Sequence, residues 1–246
     1  MNRVLFAPQE IGRPLALADH RAQHMLRILK LQPGSSVEVG VIEAGVGRAT
    51  VRSIDDCEIT LDFELSEDCG PALLPITCLL GHPRPIVLKR ILRDLSAVGV
   101  ARVVVCATEL GERSYLCSKL WQAESWRRYL IEGAEQAGAT ALPQVCSARS
   151  VAHGLDLLDQ SDGAAPRTRL FFDEAAASTA GTELGFAARV EAPLVYAVGS
   201  ERGWTAAERA LFHARAWRSV GLGPRVLRVE TAAVAAAVMC ASALAG

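Results

Sequence analysis

From residue 73 onward, the chain alternates short apolar runs with amphipathic segments of helical period, and this alternation constrains the fold more than any other feature. The apolar runs cover residues 76–80, 102–106, 169–172 and 194–198. The segments of helical period cover residues 86–98, 121–137, 206–216 and 232–244. Near-continuous apolar strands separated by helices are typical of parallel sheets covered on both faces, so we predict an α/β fold with a parallel sheet.

The first seventy residues have a different pattern, in which short strands of period two surround one helix. The strands are predicted over residues 37–39, 49–51 and 59–63. The helix is predicted over residues 20–31, because Asp19 is a good N-cap and Pro33 with Gly34 ends the segment. Together these elements predict a small, compact β-barrel.

The boundary between the two patterns lies in the proline-containing stretch 71–75. We therefore predict two domains, a β-barrel over residues 1–71 and an α/β domain over residues 72–246. Residues 154–167 are rich in small and polar side chains, and we predict a surface connection there.

Composition narrows the class of protein. Half of the 246 residues are apolar and the formal net charge is −1, so we expect proper hydrophobic cores and no uniformly basic surface. No run of about 18 apolar residues is present and the chain starts without the apolar stretch of a signal peptide, so we expect a soluble cytoplasmic protein. The seven cysteines form no C-x-x-C pair, and His20 with His24 lacks a third ligand, so we predict no metal site.

Positive charge is concentrated in three segments. Residues 1–30 carry five cations against two acids, residues 82–103 carry five against one, and residues 213–228 carry four arginines and no acid. Residues 31–75, by contrast, carry nine acids against two arginines. The basic segments could converge into one phosphate-binding face, or they could be ordinary solvated helix faces.

Two glycine-containing turns are candidates for a ligand site. Gly199 and Gly203 follow the apolar run 194–198 and precede a helix with Thr205 as its N-cap, which is where a parallel sheet exposes backbone amides. The stretch 222–232 joins Gly223 and a proline to two arginines within eleven residues. Such a turn could form a pocket for an anionic ligand, or it could be a buried turn before an apolar helix.

These motifs, taken together, resemble those of the RsmE-type 16S rRNA uridine-N3 methyltransferases of the SPOUT superfamily. The matching segments appear in the order of the family over nearly the whole chain. They are the helix 20–31 with its proline-glycine end, Val98 to Val100, Glu132 to Gln136 with Pro143, Val198 to Gly203, and Leu222 to Ala232. Nucleotide hydrolysis and hydride transfer are disfavoured, because the chain has neither a Walker loop nor G-x-G-x-x-G.

The resemblance implies an N-terminal PUA-like RNA-binding barrel, a SPOUT domain with a deep trefoil knot, S-adenosylmethionine as methyl donor, and a homodimer. It places the cofactor contacts on two loops of this chain. They are Val198, Gly199, Ser200, Glu201, Leu222, Gly223, Arg225, Val226 and Leu227. The chain departs from the family pattern at Ser200 and Arg202, where a proline and a glycine are usual, and at Asp94 and Ala139, where charged partners are usual.

Methyl transfer to N3 of uracil requires an aligned donor and stabilisation of a uracil anion. We predict that Arg228 is the cation for that anion, that Glu230 orients Arg228 or relays the proton, and that Thr231 contacts the donor or caps the last helix. The predicted RNA contacts are basic side chains from both domains. They are Arg21, His24, Arg27, Lys30, Arg84, Lys89 and Arg202.

The predicted function is S-adenosylmethionine-dependent methylation of small-subunit rRNA. Two alternatives stay open on sequence alone. One is a paralogous methyltransferase that acts on another RNA, and the other is a non-catalytic RNA-binding or ligand-binding protein that keeps the fold.

Overall fold

The computed structural model describes residues 3–160, 167–174 and 190–245. It divides into two compact units. The first unit holds the described residues up to Ala72 together with Ala134–Leu142, and the second holds Leu73–Gly133 and the described residues from Pro143 onward. Each unit has its own cluster of buried apolar side chains. The domain assignment to residues 1–71 and 72–246 itself stays a prediction.

The first unit is built on a curled, five-stranded sheet. Its strands are β1 (Val4–Phe6), β2 (Leu15–Ala16), β3 (Ser36–Val41), β4 (Val46–Ile54) and β5 (Glu58–Leu65). They pair in the order β1-β3-β4-β5-β2, with β1 parallel to β3 and the other pairs antiparallel. This half-barrel is consistent with the predicted PUA-like unit.

The helix of the first unit, α1, covers His20–Gln23 and continues as a π-helical turn over His24–Ile28. Asp19 caps it as predicted, because its Oδ1 accepts a hydrogen bond from the backbone N–H of Arg21 at 2.8 Å. The predicted extension to residue 31 is wrong. The backbone of Lys30 has φ +53°, which no helical residue adopts.

The second unit contains six parallel strands. They are β6 (Leu74–Gly81), β7 (Val100–Cys106), β8 (Gln144–Ala148), β9 (Thr168–Phe172), β10 (Leu194–Val198) and β11 (Arg218–Val220). The order in the sheet is β11-β9-β10-β6-β7-β8, and every pair is parallel. The predicted parallel α/β fold is therefore confirmed. Strand pairing does not test how the chain threads, so the trefoil knot stays a prediction.

Helices connect these strands and cover the sheet. They are α2 (Pro85–Val98), α3 (Arg127–Ala137), α4 (Val151–Asp159), α5 (Ala206–Ala214) and α6 (Val229–Ala245). All five residues of β10 are buried, which explains its uninterrupted apolar sequence. No helix among the described residues is long and apolar enough to cross a membrane.

The predicted helix over residues 121–137 is wrong over residues 121–126 and confirmed over residues 127–137. Short 3₁₀ turns cover Lys119–Glu124, and α3 begins only at Arg127. The chain is extended at Gln122 and left-handed at Ala123 (φ +46°), so no continuous helix can form. The hydroxyl of Ser125 donates to the carbonyls of residues 119 and 120 and closes this turn.

The predicted surface connection over residues 154–167 is also wrong in part. Residues up to Asp159 belong to α4, while residues 161–166 lie outside the described residues. Gly154 within α4 packs closely on the sheet, because a Cβ there would lie 2.8 Å from Leu79 Cδ1. This close packing explains why a glycine stands within the helix.

Candidate active site

A cavity of about 570 Å³ lies at the carboxyl edge of the parallel sheet, within the second unit. Two loops line it: the first loop (residues 199–205) between β10 and α5, and the second loop (residues 221–228) between β11 and α6. All predicted cofactor contacts line this cavity: Val198, Gly199, Ser200, Glu201, Leu222, Gly223, Arg225, Val226 and Leu227. The structure thus brings the two predicted loops together, while the roles of these residues stay predictions.

Glycines let the backbone approach itself and the cavity. A Cβ on Gly199 would lie 2.9 Å from the Cα of Gly203, so the first loop has no room for a side chain at this position. Gly203 has φ +66° and Gly223 has φ +91°, in the left-handed region that favours glycine. The cavity walls are therefore main chain where the loops turn.

Two side chains of the first loop fix its position. The hydroxyl of Ser200 is buried and lies 3.1 Å from the hydroxyl of Thr108, in the segment after β7. The carboxylate of Glu201 accepts a hydrogen bond from the backbone N–H of Arg84 at 2.8 Å. Arg84 precedes the first residue of α2, where backbone N–H groups lack intrahelical partners and negative charge is favourable. Both side chains already have protein partners.

The last residue of β6, Gly81, packs closely against the backbone of the first loop. Gly81 ends β6, and a Cβ there would lie 2.5 Å from the backbone nitrogen of Ser200 and 2.8 Å from Cγ2 of Thr108. Any larger residue at position 81 would displace backbone rather than a flexible side chain. The sequence did not reveal this role for Gly81.

The cavity lining also contains an ion pair that sequence reasoning missed. Asp173, directly after β9, binds the guanidinium of Arg209 from α5, with Oδ1 accepting from Nη2 at 3.1 Å. This contact raises the pKa of Arg209. Trp204 of the first loop donates its indole N–H to the carbonyl of Phe172 at 3.1 Å, at the end of β9. The sequence does show a polar residue directly after an apolar strand, and this pattern could have indicated Asp173 as a site residue.

Of the predicted catalytic residues, Arg228 and Glu230 line the cavity and Thr231 does not. The last helix begins at Val229, so Thr231 lies inside its first turn and cannot be its N-cap. The predicted capping role of Thr231 is therefore wrong. Among the described residues, no ion pair joins Arg228 to Glu230.

The predicted RNA contacts of the second unit lie at or near the cavity. Arg84 and Arg202 are exposed and line it. Lys89 lies further along α2, with its Nζ 5.7 Å from the centroid of the Tyr129 ring. Lys89 is half-buried, whereas Arg84 and Arg202 are exposed.

In the first unit, Arg21 differs from the other predicted RNA contacts. Its guanidinium binds the carboxylates of Glu10 and Asp19 at 2.6 and 2.8 Å and lies 4.8 Å from the centroid of the Phe6 ring. These carboxylates raise its pKa. The side chain is largely buried in this network, so the charge of Arg21 is already paired with carboxylates of the protein. Arg27 and Lys30 are exposed and His24 is half-buried.

A buried histidine stands beside the first loop. His82 Nδ1 lies 2.7 Å from the carbonyl of Pro83, and Nε2 accepts the indole N–H of Trp121 at 3.0 Å. Because Nε2 is an acceptor, the ring proton is on Nδ1. Burial lowers the pKa of His82, although the charge of Glu201 opposes this shift. The His82 ring therefore holds Trp121 in place through this hydrogen bond.

No group of three or more His, Cys, Asp or Glu side chains that could hold a metal ion occurs in the part of the chain that the structure describes. Burial raises the pKa of the Cys78 and Cys240 thiols to about 12. These thiols are therefore neutral core side chains.

A family model described as an RNA methyltransferase domain matches residues 71–241, which include the whole parallel sheet and both loops of the cavity. A relative from Treponema pallidum named ribosomal RNA small subunit methyltransferase E is 41% identical over 248 residues, covering 100% of this chain and 91% of the relative. The chain therefore belongs to the RNA methyltransferase family, in the group of ribosomal RNA small subunit methyltransferases E.

Two further comparisons agree with this assignment. Ribosomal RNA small subunit methyltransferase E 1 from Borreliella burgdorferi is 28% identical and covers 99% of each chain. The crystal structure of ribosomal RNA small subunit methyltransferase E from Neisseria gonorrhoeae, bound to S-adenosyl methionine, shares the fold with a TM-score of 0.72 at 20% identity, covering 99% of this chain and 98% of that chain.

Proposed function

We propose that this protein transfers a methyl group from S-adenosylmethionine to N3 of a uridine in small-subunit rRNA. The observation that carries the proposal is the cavity formed by the two glycine-containing loops in a chain of this family. Its volume of about 570 Å³ lies within the range of small-molecule sites. An rRNA substrate also implies that the protein acts in the cytoplasm.

The residues of the cavity suit this methyl donor. Gly199 and Gly223 line the cavity without a side chain of their own, so their main-chain groups are available to hold the adenine and methionine parts through backbone hydrogen bonds. The lining combines cationic and acidic side chains, as a ligand with a carboxylate, an ammonium and a sulfonium requires. The cations are Arg84, Arg202, Arg209, Arg225 and Arg228, and the acids are Asp173, Glu174, Glu201 and Glu230.

The bound donor supplies an electrophilic methyl group on its sulfonium, so the protein has to position the uracil and stabilise its anion. Arg228 lines the cavity with an exposed guanidinium, and we assign it to the developing negative charge on the uracil. Glu230 lines the same cavity without an ion pair to Arg228 in the described structure, so we assign it to accept the N3 proton. The first loop aligns the donor through its fixed backbone.

Methyl transfer to purified small ribosomal subunits, with radiolabelled S-adenosylmethionine, tests the reaction directly. We expect label in 16S rRNA, and digestion followed by mass spectrometry should identify 3-methyluridine. A different modified nucleoside, or label only in another RNA, would favour the paralogous enzyme. Absence of S-adenosylmethionine binding in calorimetry would favour the non-catalytic alternative.

We also propose that the protein is a homodimer. Helices α2 and α6 pack against each other, and both carry exposed apolar side chains, Ile86 at 58% and Val238 at 51% exposure. Val226 of the second loop is 76% exposed. Single apolar residues at a surface are common, but these three lie on elements that border one cavity. Light scattering should show a dimer that Val238→Lys converts to a monomer, whereas a monomeric wild-type protein would contradict the proposal.

A further inference from the structure

Helices α2 and α3 cross at a contact that leaves no room for a side chain. A Cβ on Gly133 of α3 would lie 2.1 Å from the backbone carbonyl oxygen of Arg93 in α2. The hydroxyl of Ser96 donates to the carbonyl of Leu130 at 2.8 Å and fixes the same crossing. Lys89 of α2 and Tyr129 of α3 approach each other beside this crossing.

One aromatic ring at this place holds two cations. The Tyr129 ring has Lys89 Nζ at 5.7 Å and the guanidinium carbon of Arg128 at 4.6 Å from its centroid. Arg128 also donates a hydrogen bond to the hydroxyl of Tyr129. The ring attracts both charges without neutralising either of them.

The surface around Tyr129 has more cations than carboxylates. Neither Lys89 nor Arg128 forms an ion pair with a carboxylate among the described residues. Arg93 pairs with its neighbour Asp94 at 3.1 Å, and Glu132 lies one helical turn after Arg128. We use the name α2/α3 basic surface for five residues of these two helices. They are Lys89, Arg93, Arg127, Arg128 and Tyr129.

The α2/α3 basic surface is connected to the cavity by a single rigid element. Arg84 and Val87, at the start of α2, line the cavity. Lys89 follows Arg84 by five residues, which corresponds to roughly 7–8 Å along a helix axis. Lys89 and the cavity-lining start of α2 therefore lie about one and a half turns apart on the same helix.

We propose that the α2/α3 basic surface binds the phosphate backbone of the single-stranded rRNA that flanks the methylated uridine. This inference rests on the proposed function. Phosphates supply the counter-charge that Lys89 and Arg128 lack within the protein. Tyr129 holds both cations in place, so that less side-chain freedom is lost when the phosphates bind.

Salt-dependent binding to an in vitro transcript of 16S rRNA and to a twelve-nucleotide oligouridylate tests this surface. We expect Lys89→Gln and Arg128→Gln each to weaken binding about three- to tenfold. Each lost phosphate contact should also reduce the slope of log affinity against log salt concentration by about 0.7 for single strands. Arg149→Gln is the matched control, since Arg149 is an exposed arginine without a ring contact. Its slope should equal that of the wild type.

Substitutions at Tyr129 test whether the ring positions Lys89 and Arg128, because they leave both charges in place. Tyr129→Phe keeps the ring and should retain affinity, whereas Tyr129→Leu should weaken binding in the manner of Arg128→Gln. Thermal melting and S-adenosylmethionine affinity should be unchanged in all these variants.

The salt slopes decide the inference independently of catalysis. If Lys89→Gln and Arg128→Gln have wild-type slopes with both RNA probes, the α2/α3 basic surface does not bind the phosphate backbone, even if rRNA is methylated. Reduced slopes with oligouridylate would support the surface even if the transcript is not methylated, in which case only the proposed function fails.

Discussion

The hydroxyls of Thr108 and Ser200, 92 residues apart in sequence, lie 3.1 Å from each other in the protein interior. This hydrogen bond ties the first loop of the cavity to the segment that follows β7. The RsmE-type pattern has a proline at the position of Ser200, and a proline restrains the backbone by fixing φ. In this chain a buried side-chain hydrogen bond supplies the restraint instead.

We expect Thr108→Val to weaken the binding of S-adenosylmethionine. Valine keeps the shape of threonine but leaves the buried Ser200 hydroxyl without its partner, which should lower the free energy of unfolding by about 1–3 kcal/mol. Calorimetry for the donor and urea unfolding measure the two effects. Thr108→Ser keeps the hydroxyl and serves as control. Unchanged affinity in Thr108→Val would show that the bond does not position the loop.

Gly223→Ala should weaken donor binding about tenfold, because φ +91° is strained for alanine and the second loop must shift. Gly34→Ala is the matched control, since Gly34 has φ +88° with open space around it and lies in the first unit. Both variants should lose on the order of 1 kcal/mol of stability. Equal donor affinity in the two variants would argue against a ligand role for the second loop.

Arg228→Ala should lower kcat by roughly 10²- to 10³-fold, the usual effect of removing one group that stabilises transition-state charge. Donor affinity should be unchanged, because the charge is needed only when the uracil reacts. Arg202→Ala is the comparison, and we expect a higher KM for rRNA with a smaller change in kcat. Steady-state methyl transfer to small subunits measures both constants. An unaltered kcat in Arg228→Ala would remove Arg228 from the mechanism.

His82 should make stability depend on pH below its ordinary pKa of about 6.5. Burial lowers the pKa of His82 in the folded protein, so the unfolded chain binds a proton that the folded chain does not. Stability from this group is complete above pH 6.5 and decreases as the pH falls towards the folded-state pKa, with a slope of at most about 1.4 kcal/mol per pH unit.

The corresponding measurement is urea unfolding of the wild type and of His82→Gln between pH 5 and pH 8. Glutamine can still accept the indole N–H of Trp121, but it does not titrate. The stability of the wild type relative to His82→Gln should therefore decrease as the pH falls below 6.5. Parallel curves over the whole range would mean that His82 is protonated as readily in the folded protein as in the unfolded chain.

The parallel fold could be predicted because burial on both faces determines the composition of a strand. All five residues of Leu194–Val198 are buried and apolar, and the glycines that follow indicated the site at the carboxyl edge. Helix α4 was missed because Gly154 interrupts it. A glycine costs about 1 kcal/mol in a helix, and only the approach to Leu79 in the folded state explains its presence.

The contacts that hold the first loop were not predictable from the sequence. Glu201 matches the family motif, but its hydrogen bond to the backbone of Arg84 spans 117 residues.

Arg21 was predicted to bind RNA because it is basic and lies in a basic segment. Its acidic partner Glu10 is eleven residues away and becomes adjacent only when the half-barrel forms. Charge counts along a chain do not show which charges are already paired.

The segment Ala134–Leu142 belongs to the first unit although it follows Leu73–Gly133 of the second unit in sequence. Within the first unit, Glu135 accepts the backbone N–H of Leu5 at 3.0 Å, and the hydroxyl of Thr140 donates to the carbonyl of Cys69 at 2.7 Å. A ribosome that has synthesised only the first 72 residues has therefore not yet supplied the segment that makes these hydrogen bonds. The contacts within the amino-terminal unit can therefore be complete only after synthesis has passed residue 142, and truncation at residue 72 would remove those made by the later segment.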